Sequence, residues 1–210
     1  MTDNAADPSE PGEGRSPELS GFGGGPGKKR RAIVQCTMTA LFAALIAGGT
    51  FVSIPLPFSP VPIVLQNLFI VLAGLVLGPV QGGAAAALYL AAGALGAPVF
   101  AGAVGGVVHF AGPTGGFLAG YFLAALLSGL IAGVPKEGKT GRGRIFLGTG
   151  LGFLIIYLPG LIWLQHIMGS WTGAFIGGFL PFLPGDILKA AAAAALAPRL
   201  RRIAADKLRA

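Results

Sequence analysis

KKRRAIVQCTMTALFAALIAGG, residues 28–49, decides the fold class. Four cations, Lys28, Lys29, Arg30 and Arg31, abut a run that carries no Asp, Glu, Lys or Arg as far as Pro135. One helical span of a bilayer takes about 20 apolar residues, so a run of this length predicts several spans separated by turns. Cations clustered beside an apolar run mark the cytoplasmic side. The expected class is an all-α polytopic membrane protein whose N-terminus lies inside.

Composition agrees. Of 210 residues, 53% are hydrophobic and 11% charged, against about 25% charged in a soluble domain. The 36 glycines suit closely packed membrane helices. The net charge of +7 is concentrated in clusters beside apolar segments, so it reads as topology and contact with the lipid bilayer, with no nucleic acid implied. A single cysteine, Cys36, excludes an internal disulfide and a multi-cysteine metal site, and reads as a small packing residue. Residues 1–31 form a predicted disordered tail: Asp3, Asp7, Glu10, Glu13 and Glu18 stand among Pro, Gly and Ser, and the basic cluster closes it. It lacks the basic start and apolar core of a secretory signal.

The breaks divide residues 32–198 into six expected helices. The first spans 32–53. Pro55, Pro57, Pro60 and Pro62 then forbid a helix. The second, 63–77, stops at Gly78-Pro79, and the third, 80–95, stops near Pro98. Segment 97–113 has too many glycines to span well. The fourth helix covers 114–134, the fifth 145–168 and the sixth 184–198. Residues 172–183 fit either a short helix or a re-entrant connection. Lys136, Lys139, Arg142 and Arg144 form one basic loop, and residues 199–210 form a basic cytoplasmic C-terminus. With six spans, all basic clusters fall inside, both termini are cytoplasmic, and the irregular segments share the outer face.

One pair of charges breaks this pattern. Asp186 and Lys189 are the only Asp, Glu, Lys or Arg between Ile145 and Pro198. Each costs about 2.5–3.5 kcal/mol at mid-membrane on insertion scales. Pro184 suits the first turn of a helix, where the dipole favours Asp186. A spacing of three puts both groups on one face. They either pin two helices or grip a polar ligand. Other candidates for an outer pocket are Gln66 and Asn67 early in the second helix, Tyr89 in the third, and Phe100, His109 and Thr114 near the Gly-rich segment. Gly115 and Gly116 permit close backbone approach. Trp163 and Trp171 fit an aromatic belt. Ala40, Ala44 and Ala47 on the first helix make a small-residue face, suited equally to internal packing or to a second membrane subunit.

Several stretches together resemble the BioY family, the substrate-binding S-component of energy-coupling-factor vitamin transporters for biotin. They are Pro60–Gln66, Leu72–Pro79, Tyr89–Gly102, Gly112–Gly120 and Pro181–Lys189. The resemblance implies an S-component-like fold of six transmembrane helices in a bacterial plasma membrane. It implies capture of biotin outside and delivery with a transmembrane coupling subunit and cytosolic ATPases. The family's Asp-x-x-Lys falls on Asp186 and Lys189, and Ala40, Ala44 and Ala47 match its docking motif. Biotin's ureido ring and carboxylate complement an acid and a base, but the orientation stays open; Phe100, Tyr89, Val99 and Leu65 suit its apolar parts. Asn67 stands where the family often has Thr, and Phe117 where Tyr is common. No G-x-x-x-x-G-K-[ST] motif is present, so an ATP drive belongs to partners. Two other transport readings are a carrier for another vitamin and a biotin carrier working alone. An intramembrane enzyme is disfavoured, because no nucleophile–base pair and no G-x-S-x-G frame occur. No cofactor is expected.

Overall fold

Residues 26–135 and 141–209 are described by the computed structural model. The expectations for the tail before Pro26, and for Lys136, Glu137 and Lys139, lie outside the described residues. The elements in order are α1 (Pro26–Gly48), β1 (Ser53–Ile54), β2 (Ile63–Val64), α2 (Gln66–Leu77), α3 (Pro79–Ala94), α4 (Gly115–Ala132), α5 (Arg142–Met168), α6 (Trp171–Gly178) and α7 (Leu183–Arg209). A single 3₁₀ turn, Val107–Phe110, precedes α4.

The core is built on α2. Every residue of this helix except Phe69 is buried, and it packs against α1, α3, α4, α5 and α7. Backbones come together because side chains are missing at the crossings. A Cβ on Gly82 of α3 would lie 2.6 Å from Gly74 Cα of α2, and one on Gly129 of α4 would lie 2.6 Å from Pro79 N. A Cβ on Gly74 would meet the Ala125 carbonyl of α4. Between α4 and α5, a Cβ on Gly120 would lie 2.7 Å from the Ile156 carbonyl oxygen. Close van der Waals approach of this kind replaces the hydrophobic drive that lipid cannot provide.

The element lengths do not give six full spans. Among the described residues three helices, Gly27–Gly48, Gly115–Ala132 and Arg142–Met168, are long and apolar enough to cross, and α6 with α7 makes a fourth if that pair, bent by 53°, counts as one span. α2 has 12 residues, about 18 Å of helix, well short of a ~30 Å hydrocarbon core. Its C-terminal end is level with that of α4, since a Cβ on Gly78 would lie 3.3 Å from Val134 Cα. With 12 residues against 18 in α4, α2 therefore stops about 9 Å short of α4 at the other end. That space is filled by irregular chain.

The first helix stops at Gly48, not at 53, because Gly48-Gly49 opens a turn. The prolines beyond it sit in a short hairpin, with Ser53 opposite Val64 and Ile54 opposite Ile63. Ser59 Oγ ties that hairpin to α6 by donating to the Gly177 carbonyl. Segment 172–183 resolves into α6 and a bend. α7 does not end at Pro198 but runs to Arg209. Proline removes one helical hydrogen bond there, yet tertiary anchors hold the continuation. Ala204 and Ala205 are buried. The Arg201 guanidinium donates to the Leu75 carbonyl of α2 and, at 3.0–3.3 Å, to the carbonyls of Ala132, Gly133 and Val134 at the end of α4. These include carbonyls that a helix end leaves without a helical partner.

Candidate functional site

Asp186 stands in the first turn of α7 and Lys189 one turn on. Their side chains join, Lys189 Nζ to Asp186 Oδ1 at 2.7 Å, and both are buried. The second carboxylate oxygen, Oδ2, accepts from the hydroxyl of Tyr157 on α5. Both oxygens of Asp186 thus have a donor. The Tyr157 ring is set by two others, edge-on to Phe117 of α4 at 6.3 Å and to Phe179 of the α6–α7 bend at 4.9 Å.

A cavity opens at the end of the bundle where α2 falls short. Gln66 and Asn67 at the start of α2, Thr114 and Phe117 at the start of α4, and Tyr121 and Tyr157 give it a mixed wall. The hairpin contributes Val61, Pro62 and Val64, and the Gly-rich loop contributes Phe100 and Ala101. Phe100 reaches this place because α3 has glycine opposite it: a Cβ on Gly93 would strike the Phe100 ring.

Two polar networks stiffen the wall. Gln66 Nε2 donates to Thr50 Oγ1, to Tyr89 Oη at 2.8 Å and to the Val99 carbonyl at 3.1 Å. Thr50 Oγ1 donates to the same carbonyl at 2.6 Å. One amide thereby links the turn after α1, α2, α3 and the loop. In the second network Tyr121 Oη donates to Asn67 Oδ1 at 2.9 Å, joining α4 to α2.

The structure sorts the sequence-predicted residues into layers. Gln66 and Phe100 line the cavity. Tyr89 lies behind Gln66, and its ring meets Phe100 edge-on at 5.7 Å. Asp186 and Lys189 are not among the lining residues; Tyr157 stands between them and the cavity. Gly115 and Gly116 do not line it either. A Cβ on Gly115 would hit the Phe110 carbonyl, and one on Gly116 the Pro159 carbonyl, so both are packing positions. Ala40 and Ala44 are exposed on α1, and Ala47 is partly buried against the core. His109 is half-buried, with its ring 6.1 Å from that of Phe100. Tyr157, Tyr121 and Thr50 were missed. A signal existed for Tyr157, a phenol in the middle of an apolar helix that must find a partner. Among the described residues no group of His, Cys, Asp and Glu could hold a metal ion.

Comparison with known proteins bears on this geometry. The sequence model of the BioY family matches residues 26–206. A protein of Pyrococcus horikoshii named "Probable biotin transporter BioY" is 43% identical over 168 residues, covering 80% of this chain and 96% of that protein. The "Biotin transporter BioY" of Thermotoga maritima is 38% identical over 174 residues, covering 82% of this chain and 99% of that one. A solved structure described as the S-component for biotin from an ECF-type ABC transporter superposes with a TM-score of 0.74 at 30% identity. That match covers 86% of this chain and 95% of the other. The relatives are named as transporters, not as enzymes.

Proposed function

The chain belongs to the BioY family, and on that premise we propose that it is a biotin-binding S-component. It captures biotin in the cavity at the outer end of the bundle and delivers it inward together with a transmembrane coupling subunit and cytosolic ATPases. Both termini lie on the cytoplasmic side of a bacterial plasma membrane. The observation that supports this most is the buried Asp186–Lys189 pair, joined through Tyr157 to a cavity at one end of the bundle. Ionisable groups inside a membrane protein mark substrate sites more often than they add stability. Biotin's cyclic urea offers two N–H donors and a carbonyl acceptor, and its valerate a negative charge. Tyr157, backed by the Asp186–Lys189 pair, can accept from the urea, and the Gln66 and Asn67 amides stand in the same wall. Phe100 and Phe117 cover the bicyclic ring and the aliphatic chain, with Tyr89 behind them. In this reading Gly115 and Gly116 serve the site by seating the start of α4.

Docking of the coupling subunit is assigned to the α1 face of Ala40 and Ala44, continued by Ala47. Small residues there let a partner helix approach closely. The test is retention of labelled biotin by the purified chain in lipid nanodiscs. We expect stoichiometric, unmodified and competable binding. Release of a chemically altered product, or retention of a different vitamin in preference, would replace this reading.

A further inference from the structure

Tyr157 is where the cavity meets the charge pair. It lines the cavity, while Asp186 and Lys189 sit behind it. An ionised carboxylate can only accept hydrogen bonds, and the Lys189 ammonium pairs with this one at 2.7 Å. The phenolic proton of Tyr157 is therefore committed to Asp186 Oδ2. What remains on Tyr157 Oη is lone-pair density, which can accept and cannot donate. The ring cannot readily turn away, because Phe117 and Phe179 hold it edge-on from two different elements. Tyr121, the other phenol of the wall, differs in kind. Its partner Asn67 is an amide, which can offer either an oxygen or an N–H.

We propose that Tyr157 is a specificity-determining contact, which carries the charge of Asp186 to the cavity wall as a fixed acceptor and so selects a ligand edge bearing an N–H. The inference rests on the biotin reading, in which the ureido ring supplies that edge. A ligand with a methyl group in place of the N–H loses the bond and leaves the acceptor without a partner, which a site built for hydrogen bonding rejects strongly.

The test compares biotin with each of its two ureido N-methyl derivatives, using the full chain in lipid nanodiscs. The wild-type chain is expected to bind at least one derivative about tenfold more weakly than biotin, or worse. Tyr157→Phe should weaken biotin by about tenfold and narrow that preference to about twofold. Tyr121→Phe should keep the wild-type preference. An unchanged preference in Tyr157→Phe, or its loss in Tyr121→Phe, overturns the proposal. If Tyr157→Phe does not fold, Asp186→Asn decides, because an amide partner frees the phenol to present its proton. A wild-type preference in that variant also overturns the proposal. No biotin retention by the wild-type chain overturns the proposed function, and this inference with it.

Discussion

Lys189 and Asp186 lean on each other, and the consequences of removing one or both differ. Truncating one partner of a buried pair strands a charge, at a cost of about 3–5 kcal/mol, whereas removing both is often neutral. Lys189→Met should lower the melting temperature in detergent clearly, and Asp186→Asn added to it should restore much of the loss. If the double variant melts lower than Lys189→Met alone, the pair is not coupled in this way. Binding gives a separate test. Asp186→Asn should weaken labelled biotin by tenfold or more, about 1.4 kcal/mol at least. Equal affinity would remove Asp186 from the ligand's reach. The pair was legible from sequence because a lone acid and base in an apolar run stand out. The layering was not legible, since spacing along α7 shows that the two groups meet but not that Tyr157 of another helix screens them from the cavity. For Gly115 and Gly116 the same limit applied: glycine signals close approach, and only the fold shows that the neighbours are protein backbone.

Among the elements, α1 and α2 are opposites. α2 is buried nearly throughout, while only 17% of the apolar stretch of α1 is buried. An exposed small-residue face can serve lipid or a partner. Ala44→Trp should leave biotin affinity within about twofold and abolish uptake by cells that hold the coupling module. Uptake at the wild-type rate would return that face to lipid. A bulky residue at the α2–α3 crossing behaves otherwise. Gly82→Val would drive a side chain into Gly74 of α2, and overpacking of this kind costs about 1–3 kcal/mol or more. Its signature should be a lower melting temperature and lower yield, and a normal melting curve would mean that the crossing is looser than its geometry. Helix breaks at Gly78-Pro79 and around the prolines 55–62 were readable, because those residues stop helices by local chemistry. The run past Pro198 was not. Its helix is held by Arg201 against carbonyls of α2 and α4, which no local pattern announces.

For the whole molecule, the helical membrane class followed from charge and hydropathy alone, but the number of full spans did not. Counting apolar segments treats each as a crossing, and α2 is buried in protein without being long enough to cross. The expected orientation is testable on a Cys36→Ala background. A cysteine replacing Phe58, exposed in the proline hairpin, should react with an impermeant maleimide added to intact cells. One replacing Arg202, exposed near the end of α7, should react only after the membrane is opened. The reverse pattern would invert the protein and place its cavity inside. The shortness of α2 has an electrical consequence. In the proposed orientation Gln66 marks the outer end of α2 and lies about 9 Å below the top of α4, about a third of a ~30 Å insulating layer. A unit charge lowered to that level has fallen through a similar share of the transmembrane voltage, worth about 0.7 kcal/mol per 100 mV, before any subunit has moved.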